Sequence, residues 1–131
     1  MTTKTIGLVA FDLDDTLAPS KSPLPAEVAQ ALLDLLAVRP VCIISGGQHG
    51  QFESQVIANL PDSPLLDGLH LMPTNGTRYH SYVDGQWVEQ YAHELSPELR
   101  DRAMAALEEQ AKRLGLWESN TWGQIHENRS S

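Results

Sequence analysis

The chain has a single cysteine, Cys42, so no disulfide framework can form within it. Its apolar stretches are only a handful of residues long, far short of the ~20 that a membrane-spanning helix needs. Residues 1–11 lack the long apolar run and small-residue cleavage site of a secretory signal, and the expectation is a cytoplasmic protein. Positive charge is scarce as well: 9 Lys and Arg stand against 17 Asp and Glu, a formal net charge of −8. Without a basic stripe or a Lys/Arg run, neither nucleic-acid phosphates nor anionic lipids are expected partners, which leaves small molecules. The 5 histidines form no metal-binding spacing. His70, His80, His93 and His126 are expected singly, at surface or satisfied positions, and His49 lies near Ser45 without an assigned role. Trp87, Trp117 and Trp122 are too far apart for a stacking platform and read as core or lobe-interface residues.

What is present suits one compact core, at 131 residues and 41% hydrophobic content. Residues 5–11 form a nearly continuous apolar run, which predicts a strand covered on both faces in a parallel sheet. Pro25 fits the first position of a helix reaching about Val38, with Val28, Leu32, Leu35 and Leu36 at helical spacing. Val41–Ile44 reads as a second strand running into Ser45-Gly46-Gly47, and a helix is expected from His49 to about Asn59. This order predicts a parallel crossover with ligand chemistry at the carboxyl ends of the strands, where Asp12 and Ser45 both fall. Beyond Pro64 the pattern turns antiparallel. Leu69–Met72 reads as a strand, Tyr79–Val83 and Gln86–Tyr91 as a hairpin through Asp84-Gly85, and Ser96 as the cap of a helix ending near Leu114. A last strand is expected over Trp122–Glu127. The expected division is a core lobe at residues 1–67 and a second lobe at 68–131.

The strongest chemical signal is Phe11-Asp12-Leu13-Asp14-Asp15-Thr16-Leu17, directly after an apolar strand. Close carboxylates beyond a buried strand repel one another unless a cation holds them, and Mg²⁺ is the natural neutraliser. One carboxylate can then attack phosphorus while a second, two residues on, serves as general acid and later as base. The alternative is an acidic turn in which Asp14 or Asp15 merely caps backbone amides. Ser45 adds a hydroxyl at the tip of the next strand, with Gly46 and Gly47 allowing backbone N–H groups to approach a phosphoryl oxygen.

Asp12, Asp14, Thr16 and Leu17 match the first motif of the haloacid dehalogenase-like superfamily, and Ser45 resembles the Ser/Thr of its second. The resemblance implies an α/β fold: a partial Rossmann-like parallel-sheet core with an α+β cap lobe after the second motif. It implies that Asp12 is the nucleophile forming an aspartyl-phosphate, and that Asp14 is the general acid/base. It also implies Mg²⁺ as cofactor, held by Asp12 and the Asp14 backbone carbonyl, with phosphate contacts from Ser45, Gly46 and Gly47. Thr74-Asn75-Gly76-Thr77 and the hairpin resemble the opening of the cap in the subgroup with sugar phosphatases and eukaryotic-type phosphomannomutases. Arg129 corresponds either to a cap arginine that grips a sugar phosphate or to a solvated terminal arginine.

The family's later lysine and acidic motifs have no counterpart before Ser131; Lys4, Lys21 and Lys112 are the only lysines. On that pattern the chain is expected to be truncated, with residues 5–11 as an unpaired apolar edge open to self-association. The implied activity is hydrolysis of a sugar phosphate or similar small phosphoester, with a sugar-phosphate mutase as one alternative. The other alternative is an inactive fragment serving only assembly or ligand binding.

Overall fold

The computed structural model describes residues 5–117. These form two compact units, one running to Ala92 and the other beginning at His93. The first contains a mixed sheet of five strands in the order β1-β2-β3-β4-β5. They are β1 (Val9–Asp12), β2 (Val41–Ile44), β3 (Leu69–Met72), β4 (Arg78–Val83) and β5 (Gln86–Ala92). Helix α1 (Ala26–Leu36) joins β1 to β2, and α2 (His49–Gln55) lies between β2 and β3.

Side-chain alternation decides which face is covered. Val9, Val41 and Leu69 align across the three parallel strands, as do Phe11, Ile43 and Leu71. The buried members of these rows join Ala29, Leu32 and Leu36 of α1 and Phe52 of α2 in one hydrophobic cluster. Phe52, Ile43, Leu69, Leu71 and Val41 are fully buried, each worth about 1.5–3 kcal/mol relative to an exposed side chain. The Ser45–Gln48 segment is thus anchored by β2 on one side and by Phe52 on the other.

Three expectations need correction. Leu69–Met72 does not open an antiparallel lobe: β3 pairs in parallel with β2, and β4 then pairs antiparallel with β3. The hairpin therefore extends the core sheet, and the first compact unit ends at Ala92 rather than at residue 67. The strand expected over residues 5–11 is confined to β1, where Ala10 is exposed and Ile6 and Leu8 stand outside the strand in solvent, so its two faces are not both covered. Pro25 is the extended residue preceding α1 rather than its first residue.

In the second unit the Ser96 hydroxyl accepts the Leu99 amide and starts α3 (Pro97–Arg113). None of the residues of α3 is buried among the described ones, and Trp117 is exposed. Among the described residues no helix is long and apolar enough to cross a membrane. Trp122–Glu127 and Arg129 lie outside the described residues.

Candidate functional site

β1 pairs with β2 so that Asp12 lies beside Ile44, one residue before Ser45. Neighbouring strands sit about 4.8 Å apart, so the two strand tips place Asp12 and Ser45 side by side at the carboxyl edge of the sheet. Asp12 is exposed, and its Oδ1 accepts the Leu13 amide at 2.9 Å.

The loop after Asp12 is fixed by its apolar residues. Leu13 and Leu17 are buried, and the Leu13 carbonyl accepts the amides of Thr16 and Leu17 at 3.3 and 3.0 Å. Asp15 takes a left-handed conformation (φ 59°), and its carboxylate accepts the Ser20 amide at 3.0 Å. That turn-capping role is the one foreseen as the alternative for these acidic residues. Asp14 also accepts a backbone amide, from Lys21 at 3.1 Å, but it gathers side-chain donors besides. Gln51 Nε2 donates to Oδ2 at 3.0 Å and to Oδ1 at 3.3 Å, and Gln55 Nε2 donates to Oδ1 at 3.3 Å. The Lys21 amide is the largest influence holding the Asp14 carboxyl below the usual carboxylate range; partial burial opposes it, and the two glutamines and the Lys21 charge reinforce it.

Ser45 is buried at the end of β2, and its Oγ accepts the Gly47 amide at 3.1 Å. The turn Thr74–Gly76 packs against this loop: the Thr74 amide donates to Gly47 O and the Asn75 amide to Ser45 O, both at 2.8 Å. Thr74, Asn75 and Gly76 all have positive φ (53°, 55° and 84°). Left-handed backbone is costly for a β-branched residue such as threonine and clusters at functional sites. A Cβ on Gly46 would lie 3.4 Å from Asn75 Oδ1, an ordinary contact, so the backbone bonds from Thr74 and Asn75 are what hold the two loops together.

Asp12, Asp14, Ser45, Gly46 and Gly47 therefore share one edge of the first unit. The sequence reading missed Gln51 and Gln55, because neutral amides give no charge signal. Their spacing of four within a helix, facing an acidic loop, was the available clue. It also missed that Thr74–Gly76, read as the start of a cap, braces the Ser45 loop.

Mg²⁺ takes oxygen ligands, keeps several waters, and is commonly held by one or two carboxylates plus substrate phosphate. The exposed Asp12 carboxylate and the Asp14 backbone carbonyl are oxygen donors of that kind. No group of three or more His, Cys, Asp or Glu that could hold a metal exists among the described residues. These two oxygen donors would suit a magnesium ion that shares its shell with water and phosphate.

No family model and no curated protein matches the sequence. Solved structures do match. An IMP-nucleotidase from Plasmodium falciparum superposes with a TM-score of 0.60 at 14% identity, covering 84% of this chain and 32% of that one. A haloacid dehalogenase-like hydrolase from B. subtilis superposes with a TM-score of 0.56 at 22% identity, covering 82% of this chain and 34% of that one. The chain has a haloacid dehalogenase-like fold. It spans about a third of the length of these two structures.

Proposed function

We propose that this chain carries the nucleophile-bearing part of a magnesium-dependent phosphoryl-transfer site acting on a small phosphorylated metabolite, with a sugar phosphate as the class the sequence motifs favour. The observation that carries the reading is the placement of Asp12, Asp14 and the Ser45-Gly46-Gly47 loop on one edge of the sheet. The likeness to an IMP-nucleotidase and to a haloacid dehalogenase-like hydrolase supports it at the level of the fold.

In this reading an Asp12 carboxylate oxygen attacks phosphorus in line, and the bond from phosphorus to the leaving oxygen breaks. Asp14 gives its proton to that oxygen. Water then attacks the aspartyl-phosphate and passes a proton to Asp14, which releases phosphate and restores the Asp12 carboxylate. The proton affinity of Asp14 is held low in the free protein, so it must rise when substrate binds for Asp14 to serve as acid or as base. In the first half, the negative charge of an arriving phosphate raises that affinity. Ser45 Oγ and the backbone N–H groups of Gly46 and Gly47 hold phosphoryl oxygens. A bound Mg²⁺, carried by Asp12 and the Asp14 carbonyl, supplies the neutralising charge that a chain of net charge −8 otherwise lacks.

Phosphate release from a panel of small phosphoesters, with Mg²⁺ or with EDTA, tests the reading. Release is expected to need Mg²⁺, to vanish in Asp12→Asn, and to fall by about 10²–10⁴ in Asp14→Asn. Release that survives Asp12→Asn, or no release from any ester, overturns it for this chain.

A further inference from the structure

Gly47 matters for a reason separate from phosphate contact. A Cβ built there would lie 2.0 Å from Gln51 Oε1 and 2.5 Å from its Cδ, so the Gln51 amide occupies the space that any side chain at residue 47 would need. From that space Gln51 Nε2 reaches both oxygens of Asp14. Gln55, four residues on and buried, places its Nε2 between Asp14 Oδ1 and the Ser22 carbonyl at 2.6 Å. Its own Oε1 is buried without a hydrogen-bond partner. Such an orphan acceptor is unfavourable when buried, so the side chain is held in place by what its Nε2 binds.

We propose that Gln51 and Gln55 are positioning residues that orient the Asp14 carboxylate, and that Gly47 is required as the gap through which Gln51 reaches it. The inference deepens the functional reading above and rests on it. Oδ1 carries three donors, the Lys21 amide and the two glutamine amides, whereas Oδ2 carries the Gln51 contact alone. A carboxylate oxygen has about two lone-pair sites, so Oδ1 is saturated and Oδ2 is the oxygen with capacity to exchange a proton. The clamp thereby selects one oxygen and fixes its direction. In the hydrolytic step, water forms a bond to phosphorus, the bond to Asp12 breaks, and the water proton passes to Oδ2.

The test has two readouts. In the metal-free protein, Asp14→Asn should displace the side-chain amide ¹H–¹⁵N resonances of Gln51 and Gln55, while Gly47→Ala should move that of Gln51 and leave that of Gln55. With Mg²⁺ and acetyl phosphate, the lifetime of the phosphoryl group on the protein, followed by intact mass, should lengthen on the order of 10–100-fold in Gln51→Ala and in Gly47→Ala. Gln30→Ala, which removes an exposed amide on α1, is the control and should leave it unchanged. Both test variants should melt close to the wild type, because the added Cβ meets only the flexible end of Gln51. Unmoved glutamine resonances, or an unchanged phosphoryl lifetime in a labelled protein, overturn the inference. A protein that never takes up a phosphoryl group, yet shows the expected resonance shifts, overturns the catalytic reading and keeps the clamp.

Discussion

The imidazole rings of His49 and His80 stack face to face, 3.8 Å between centroids and 9° from parallel. The pair joins the start of α2 to β4. Glu53 holds His49 Nε2 at 3.0 Å, and Glu89 lies 3.8 Å from His80 Nε2 and 3.1 Å from Arg78. Burial pushes the His80 pKa below its ordinary 6.5; His49 and Arg78 add to the effect, and Glu89 and Glu53 oppose it. The folded chain therefore binds fewer protons at this site than the unfolded chain. Stability should be full above about pH 6.5 and should fall as pH drops through that value toward the depressed folded pKa. Urea midpoints measured from roughly pH 7.5 to 5 should decline on acidification, and His80→Phe should flatten that slope. An identical slope in the variant would show that His80 does not couple folding to pH.

The glycines near the site should respond in opposite directions to alanine. Gly76 has φ +84°, and a Cβ there would meet Ile44 Cδ1 at 3.3 Å. Gly76→Ala should cost about 1–3 kcal/mol. Gly50 lies in α2 with nothing within 4 Å of its would-be Cβ. Gly50→Ala should instead stabilise by roughly 0.5–1 kcal/mol. Denaturant titration distinguishes the two, and a stabilising Gly76→Ala would contradict the backbone geometry.

Cys42 is buried in β2, and burial pushes its thiol pKa up. Its reaction with a thiol reagent at neutral pH should be slow in the folded protein and rapid in denaturant. Fast modification without unfolding would contradict the packing of β2.

Strand β2 was readable because Val41–Ile44 is apolar throughout, and Val41, Cys42 and Ile43, which alternate between its two faces, are all buried. The direction of β3 was not readable. Four residues of alternating burial fit a strand in either direction, and only pairing with β2 chooses. That one choice moved the expected division from residue 67 to Ala92. The positions of Asp12 and Ser45 were legible because each stands at the carboxyl end of an apolar run and the two ends share one sheet edge. The stacking of His49 on His80 was not, since the sequence gives two isolated histidines and only the placement of α2 over β4 brings them together.

Chemical trapping of the nucleophile decides most directly whether Asp12 does the work proposed for it. The protein would be incubated with Mg²⁺ and acetyl phosphate, quenched in acid, and examined by intact mass and peptide mapping. One phosphoryl group, removed by hydroxylamine, located on Asp12 and absent from Asp12→Asn, is the expected result. A wild-type protein that takes up no phosphoryl group, or a label that persists in Asp12→Asn, would contradict it.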